Sequence, residues 1–143
     1  MFDAIYVPVP GANPVQYTNG FTDVADRIVR PVLDETSRRD GAIVGVFAVD
    51  RNGYTPTHNS NVSQPQRAGD AVWNAKNCRN RRIFNDRAGL AAGRSTAPFL
   101  LQSYERDMGG GERMMIKEAD APIIVEGRHW GALRVMFRNA ARG

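Results

Sequence analysis

The sequence has few of the residues that build disulfide frameworks or metal sites. Its 143 residues include one cysteine, Cys78, and two histidines, His58 and His129. A single cysteine excludes an internal disulfide framework and a thiolate-rich metal site. Because disulfides are rare in reducing compartments, this usage favours the cytoplasm. We therefore expect a cytoplasmic protein.

Long apolar runs and familiar catalytic motifs are also missing. No segment approaches the roughly 18–20 consecutive apolar residues that cross a bilayer, and residues 1–10 lack the basic start and apolar core of a signal peptide. The chain contains no P-loop, no Gly-x-Gly-x-x-Gly, no Gly-x-Ser-x-Gly and no His-Glu-x-x-His. We predict that it is not an enzyme and that it does not span a membrane.

The length and the residue pattern predict one domain preceded by an arm. Residues 1–20 are rich in proline, glycine and asparagine, which is typical of an extended arm, and residues 21–143 form the domain. The segment from Phe21 to Arg39 is predicted to be a helix, because its apolar residues recur at helical spacing. That stripe consists of Phe21, Val24, Ala25, Ile28, Val29, Val32 and Leu33. It either packs against the core or forms the seam of a homodimer.

The rest of the pattern favours strands around a helical and loop-rich middle. The apolar run 42–49 predicts a buried strand, followed by a turn at Asn52-Gly53 and a return strand. Later strands are expected over 98–106, 113–125 and 129–138. The expected fold class is α+β and PAS-like: a single antiparallel sheet of about five strands, with an N-terminal helix and a middle segment enclosing a pocket. In the last strand, alternation groups His129 with Leu133 toward that pocket and sets Arg134 on the opposite face.

The densest charged stretch runs from Lys76 to Arg94. It holds six basic residues and one acid, Asp86. Arginine side chains match the geometry of carboxylates and phosphates, so a cluster of them at the mouth of the pocket would hold a small anionic ligand. A solvated basic face explains the same charges. Nucleic-acid binding is not expected, because the stretch lacks interleaved aromatic residues and any recognised motif.

The two histidines leave the question of a cofactor open. His58 together with Asp50 and Asp86 offers enough ligands for a metal, but their spacing is not diagnostic. A single histidine is also enough for an axial ligand of haem, although covalent attachment is excluded because Cys-x-x-Cys-His is absent. A hydrogen-bonded histidine without any cofactor is the favoured interpretation.

Four segments, taken in order, resemble a known family. They are Asp50-Arg-Asn-Gly-Tyr-Thr-Pro-Thr-His-Asn59, Cys78-Arg-Asn-Arg-Arg-Ile-Phe-Asn-Asp86, Pro98-Phe-Leu-Leu101 with Arg106-Asp107, and Gly127-Arg-His-Trp-Gly-Ala-Leu-Arg134. Together they are similar to the PAS/Cache-like sensory domain at the cytoplasmic C-terminal end of many bacterial methyl-accepting chemotaxis proteins. The arm Pro8-Val-Pro-Gly-Ala-Asn-Pro14 with Gln16-Tyr17 is similar to the segment that precedes that domain.

The resemblance implies a ligand-binding sensory input domain for bacterial chemotaxis signal transduction. Its partner would be a chemoreceptor signalling module or another chemotaxis protein, because this sequence lacks the membrane span and long signalling helix of those receptors. Two alternatives remain, a haem- or metal-holding redox or gas sensor and a protein–protein interaction module without a small ligand. Residues expected near the pocket are Tyr54, His58, Asn59, Arg82, Asn85, Asp86, His129 and Trp130.

Overall fold

The computed structural model of the chain describes residues 1–2, 5–109 and 111–138. The strands are β1 Val7–Pro8, β2 Tyr17–Thr18, β3 Ile43–Asp50, β4 Tyr54–Thr55, β5 Arg82–Ile83, β6 Leu100–Gly109, β7 Glu112–Val125 and β8 Arg128–Arg138. Helix α1 joins three pieces, Thr22–Val24, the π-helical turn Ala25–Val29 and Arg30–Ser37; α2 is Ala71–Asn77 and α3 is Arg87–Arg94. No helix among the described residues is long and apolar enough to cross a bilayer.

Four long antiparallel strands form the central sheet in the order β3-β8-β7-β6. The strands β7 and β8 are joined by a two-residue turn in which both Glu126 (φ 50°) and Gly127 (φ 76°) are left-handed. This geometry matches the twist of the strands on either side, so consecutive strands pair as a hairpin. The first strand of the central sheet, β3, pairs with the other side of β8 and places Phe47 opposite Arg134.

The predicted α+β, PAS-like fold built on a single sheet of about five strands is wrong, because the central sheet has four strands. The chain is mostly β, with 38% strand and 26% helix, and β4 leaves the central sheet to pair with β5. The segment that follows the turn is held to β3 by hydrogen bonds between side chains and backbone, not by a strand ladder. The Tyr54 backbone N–H donates to the Asp50 carboxylate at 3.0 Å, and the Thr55 hydroxyl donates to Ala48 O at 2.8 Å. Pro56 has no N–H with which to extend a ladder.

Helix α1 lies against β3 and buries only part of its apolar stripe. Ala25 and Leu33 are buried, whereas Ile28 and Val32 are 64% and 58% exposed. The π-helical turn ends at Val29, two residues before Pro31, which has no N–H for a regular helical hydrogen bond. Part of the stripe therefore packs into the core, and Ile28 and Val32 remain exposed to solvent.

The inner face of the sheet carries the main apolar core. Phe47, Val49, Ile116, Ala132 and Met136 form one buried cluster there. Since side chains alternate along β8, this assignment puts Arg134 on the inner face as well. The predicted orientation of β8 is therefore reversed: Arg134 is 3% exposed, while Leu133 belongs to the opposite face.

Candidate functional site

A cleft of about 210 Å³ opens between the inner face of the sheet and the segment that follows α2. We call it the arginine cleft. Its walls are Phe47, Arg79, Arg82, Phe84, Asp86, Tyr104, Arg106, Asp107 and Arg134. Four of these nine residues are arginines, so the charge of the cleft decides what it can bind.

Two chain segments bring the arginines together. Asp70 accepts a hydrogen bond from Trp73 N at 3.2 Å and begins α2, which ends just before the Arg79–Arg82 segment. That segment is tied to the hairpin after β3, because Arg81 N donates to Thr55 O at 2.7 Å. On the sheet side, alternation along β6 directs Tyr104 and Arg106 to the same face.

Arg134 is the one cleft arginine whose charge is fully matched within the described residues. Its Nε and Nη2 donate to the two carboxylate oxygens of Glu118 at 3.0 and 2.9 Å, and the Tyr104 hydroxyl donates to Glu118 at 2.6 Å. Both members of the ion pair are buried, with side chains 4% and 0% exposed. A bidentate pair of this kind is among the stronger polar interactions in a protein interior.

A second carboxyl group completes this network and holds a proton. Burial, the hydrogen bond with Glu118 and the negative charge of Glu118 together raise the pKa of Asp120 to about 8. Burial would also raise the pKa of Glu118, but the hydrogen bond from Asp120 and the charge of Arg134 lower it below the usual value. Beneath the cleft, the inner face therefore carries the ionised Glu118 and the protonated Asp120. The charge of Arg134 is already balanced by Glu118.

The other three arginines of the cleft have no carboxylate partner in an ion pair among the described residues. The salt bridges among the described residues are made by Arg30, Arg39, Arg81, Arg113 and Arg134. Arg79 is 7% exposed. Desolvation and the positive charges of Arg106 and Arg82, opposed in part by the negative charge of Asp107, lower its pKa to about 9. Burial likewise lowers the pKa of Arg82 and of Arg106.

The neutral contacts of these arginines do not cancel their charge. Arg82 Nη1 donates to Ala75 O at 3.4 Å and its guanidinium lies 5.0 Å from the centre of the Phe84 ring. Arg106 Nη1 contacts the sulfur of Met136. The acids of the cleft wall, Asp86 and Asp107, are both exposed, and Asp86 caps α3 by accepting from Gly89 N at 3.0 Å. Buried, unmatched positive charge is costly, and an anion in the cleft would relieve it.

His58 lies one ring away from the cleft. It is 2% exposed and stacks on Phe47 at 4.6 Å between ring centres. Its Nδ1 accepts from Asn59 N at 2.8 Å, while its Nε2 is buried without a partner among the described residues. Desolvation lowers the pKa of His58 well below its usual value, and the charges of Arg106 and Arg79 lower it further. His58 is therefore neutral and supports the cleft from behind Phe47.

The structure separates the residues that the sequence groups around one pocket. Arg82 and Asp86 line the arginine cleft, whereas His129 and Trp130 line a different cavity. Asn85 is exposed beside Asp86.

Two more of the expected pocket residues have structural roles instead. The Tyr54 hydroxyl donates to Tyr17 O at 2.7 Å and fastens the arm to the domain. Asn59 accepts from Val46 N at 2.7 Å and donates to Asp34 at 3.2 Å, so it joins β3 to α1.

The cavity beside His129 is larger, about 400 Å³, but its two arginines, Arg51 and Arg128, are exposed to solvent. It is lined by Met1, Phe2, Tyr6, Asp50, Arg51, Asn52, Arg128, His129 and Trp130. Tyr6 donates to Asp50, the Arg128 guanidinium lies 4.0 Å from the centre of the Phe2 ring, and Trp130 Nε1 donates to Met1 O at 3.1 Å. Both ring nitrogens of His129 are buried without a partner among the described residues. Among the described residues that line it, this cavity therefore has no buried arginine.

The basic stretch from Lys76 to Arg94 divides between the two interpretations that its sequence allows. Arg79 and Arg82 face the cleft, but Arg81 pairs with Asp26 at 3.0 Å and Arg94 donates to Arg51 O at 3.0 Å. Sequence reasoning did not include Arg79, Arg106 or Arg134 among the site residues. The available signal was the alternation of Gln102, Tyr104 and Arg106 along β6, which places polar groups on one face of a strand.

No group of three metal-binding side chains forms within the part of the chain that the structure describes. The set of His58, Asp50 and Asp86 considered from the sequence is therefore not brought together. Asp50 instead accepts hydrogen bonds from Tyr6 and from the backbone of the hairpin that follows β3.

Comparison with known proteins adds no family to these observations. No protein-family model matches the chain, and the search of curated proteins returned no match.

Proposed function

We propose that this chain is a ligand-binding sensory domain that holds a small anion in the arginine cleft. One observation carries the proposal: the buried Arg79 and the partly buried Arg82 and Arg106 meet at one cleft, and none of the three has an ion-pair partner among the described residues. Proteins keep such unfavourable arrangements mainly at functional sites, since a structural role is served better by matched or apolar residues. An anion that entered the cleft would gain charge-assisted hydrogen bonds in a partly desolvated site.

The sensory part of the proposal is supported by the resemblance of four sequence segments to chemoreceptor domains. We propose on that basis a cytoplasmic role in bacterial chemotaxis, with a chemoreceptor signalling module or another chemotaxis protein as the partner. The prediction is that mutating Arg82 to Gln in cells that produce the protein abolishes the swimming response to the anion that binds. A response that survives in a non-binding variant would contradict the sensory role.

A route from the cleft to helix α1 runs through neighbouring residues. Arg81, which directly precedes Arg82, has a left-handed backbone (φ 63°) and pairs with Asp26 of α1 at 3.0 Å. Asp26 in turn pairs with Arg30 at 2.6 Å. A ligand that pulls on Arg82 would shift this contact and bias the position of α1.

A shift of α1 would change dimerisation if the exposed part of the helix forms the dimer interface. Ile28 and Val32 are largely exposed, and we propose that they form the homodimer seam. Sedimentation velocity with and without the bound anion tests this, with Ile28→Lys and the matched Arg39→Glu as variants. The proposal requires a dimer in the wild type and in Arg39→Glu, and a monomer in Ile28→Lys. A monomer in every sample at high protein concentration would contradict it.

Ligand binding itself is tested by thermal shift and calorimetry at constant ionic strength. The probes are acetate, succinate, benzoate, phosphate and sulfate, each against a sodium chloride reference that removes general screening effects. Arg79→Gln and Arg82→Gln are the test variants. Arg39→Gln is the control, because the Arg39 side chain is 72% exposed and pairs only weakly with Glu35 at 3.8 Å.

The proposal expects at least one anion to stabilise the wild type and the control by mass action, while neither cleft variant responds. If no anion stabilises the wild type, or if the cleft variants respond as strongly as the control, the proposed site is wrong.

A further inference from the structure

The lining of the arginine cleft is not only cationic. Phe47, Phe84 and Tyr104 share the walls with the arginines, and Phe47 and Phe84 meet edge to face with ring centres 5.9 Å apart. The guanidinium of Arg134 lies 4.9 Å from the centre of the Phe47 ring, and that of Arg82 lies 5.0 Å from the centre of Phe84. Positive and apolar groups therefore stand side by side along one wall. A ligand that uses both needs an anionic group and an apolar body.

The size of the cleft sets the size of that body. At roughly 30 Å³ for each water in the liquid, a volume of about 210 Å³ corresponds to about seven waters. An inorganic oxyanion would replace only part of this water and would leave the aromatic wall wet. A nucleotide or another drug-sized ligand would need a larger pocket, of at least roughly 300 Å³.

We infer that the ligand of the arginine cleft is a small organic carboxylate whose carbon body packs against Phe47 and Phe84. This inference rests on the proposed function and names the chemical class of its ligand. The carboxylate group receives the guanidinium N–H donors, for which its planar geometry is suited. The carbon body displaces water from the aromatic wall, and the carboxylate and the body together must fit within about 210 Å³. Inorganic phosphate and sulfate offer the negative charge but have no carbon body to pack against the aromatic wall.

Titration calorimetry with a graded series of anions tests the inference. The series is acetate, propionate, butyrate and benzoate, compared with succinate, phosphate and sulfate at one ionic strength and pH 7. Each CH₂ group buried against the wall is expected to tighten binding about fourfold. Affinity should therefore rise along the monocarboxylates, fall once the body exceeds the cleft, and remain lowest for phosphate and sulfate.

Two matched variants separate the apolar wall from the charge. Phe84→Leu shortens the wall and should weaken benzoate binding at least about fivefold while leaving the weaker phosphate binding unchanged. Phe99→Leu is the control, because Phe99 is 65% exposed and lies outside the cleft. Arg82→Gln should weaken every member of the series. A circular dichroism spectrum and a thermal melt of each variant exclude a folding defect as the cause.

The outcomes distinguish the inference from the proposed function. Phosphate binding as tight as that of any carboxylate, or an affinity that does not change with the carbon body, overturns the inference and leaves an anion site in place. Loss of benzoate binding that is equal in Phe84→Leu and Phe99→Leu also overturns it. If no anion binds to the wild type, the proposed function and the inference both fail.

Discussion

The unmatched charge of Arg79 leads to an unusual expectation: removing it should stabilise the protein without ligand. The lowering of its pKa to about 9 corresponds to roughly 5 kcal/mol against the charged form in the folded state. This is an upper value, because side-chain movement and water in the cleft relieve part of it. At pH 7 the guanidinium is still charged, so the folded protein bears this cost. Methionine keeps the apolar stem and removes the charge.

We expect Arg79→Met to raise the free energy of unfolding by about 2 kcal/mol, the middle of the range seen when apolar residues replace buried ions. Arg134→Met is the matched comparison, since it is the same substitution in the same cleft. There the cation leaves Glu118 buried without its partner, which typically costs about 3–5 kcal/mol. The two variants should therefore shift stability in opposite directions.

Equilibrium unfolding in urea, followed by tryptophan fluorescence in chloride buffer at pH 7, measures both changes. Arg79→Met should also lose the stabilisation by the anion that binds the wild type. A loss of stability in Arg79→Met comparable to that in Arg134→Met would refute the reasoning. Arg79 would then be a structural residue with a compensated charge.

Three further predictions concern the framework of the cleft. The pKa of Asp120 in the folded protein lies near 8, above its unfolded value near 4, so its contribution to stability is present below about pH 4 and is lost as the pH rises to 8. In urea titrations at pH 5 and pH 8, Asp120→Asn should therefore lose less free energy of unfolding between the two pH values than the wild type does. An equal loss in both proteins would show that another group titrates. A Cβ at Gly131 would overlap the Val49 carbonyl oxygen, so Gly131→Ala should lower the melting temperature strongly. Gly41 has open space around it, so Gly41→Ala should barely change the melting temperature. Similar melting temperatures for the two variants would contradict the close contact between β8 and β3 at Gly131. Asn59→Ala should lower the free energy of unfolding by about 1–3 kcal/mol, because the buried Val46 N–H would lose its acceptor. Anion affinity measured by calorimetry should stay intact, and weakened binding in folded protein would place Asn59 in the site.

Much of the local structure was accessible from the sequence. Glycine next to Glu126 predicts the turn between the last two strands, and both residues are left-handed there. Aspartate is a preferred residue at the start of a helix, and Asp70 caps α2. These features depend on residues within one turn of each other, so propensity and spacing are sufficient to predict them.

The fold and the site depended on contacts between distant residues. Alternation along β8 was visible, but which face is buried was decided by Glu118, which neutralises Arg134 from a neighbouring strand. A charged residue on an alternating strand is normally taken to face water, and only a buried partner reverses that assignment. The same limit applies to the expected five-stranded sheet, because β4 finds its partner in β5, about thirty residues along the chain.

The sequence by itself determined where the positive charge is concentrated, and the tertiary structure decided which of those charges meet. Arg79 and Arg82 come from the predicted basic stretch, but they form a site only because β6 brings Arg106 to the same cleft. His129 and Trp130, predicted for the same pocket, belong to another cavity. The physical reason is that charge density is a property of a segment, whereas an unmatched buried charge depends on which acids the fold places within reach.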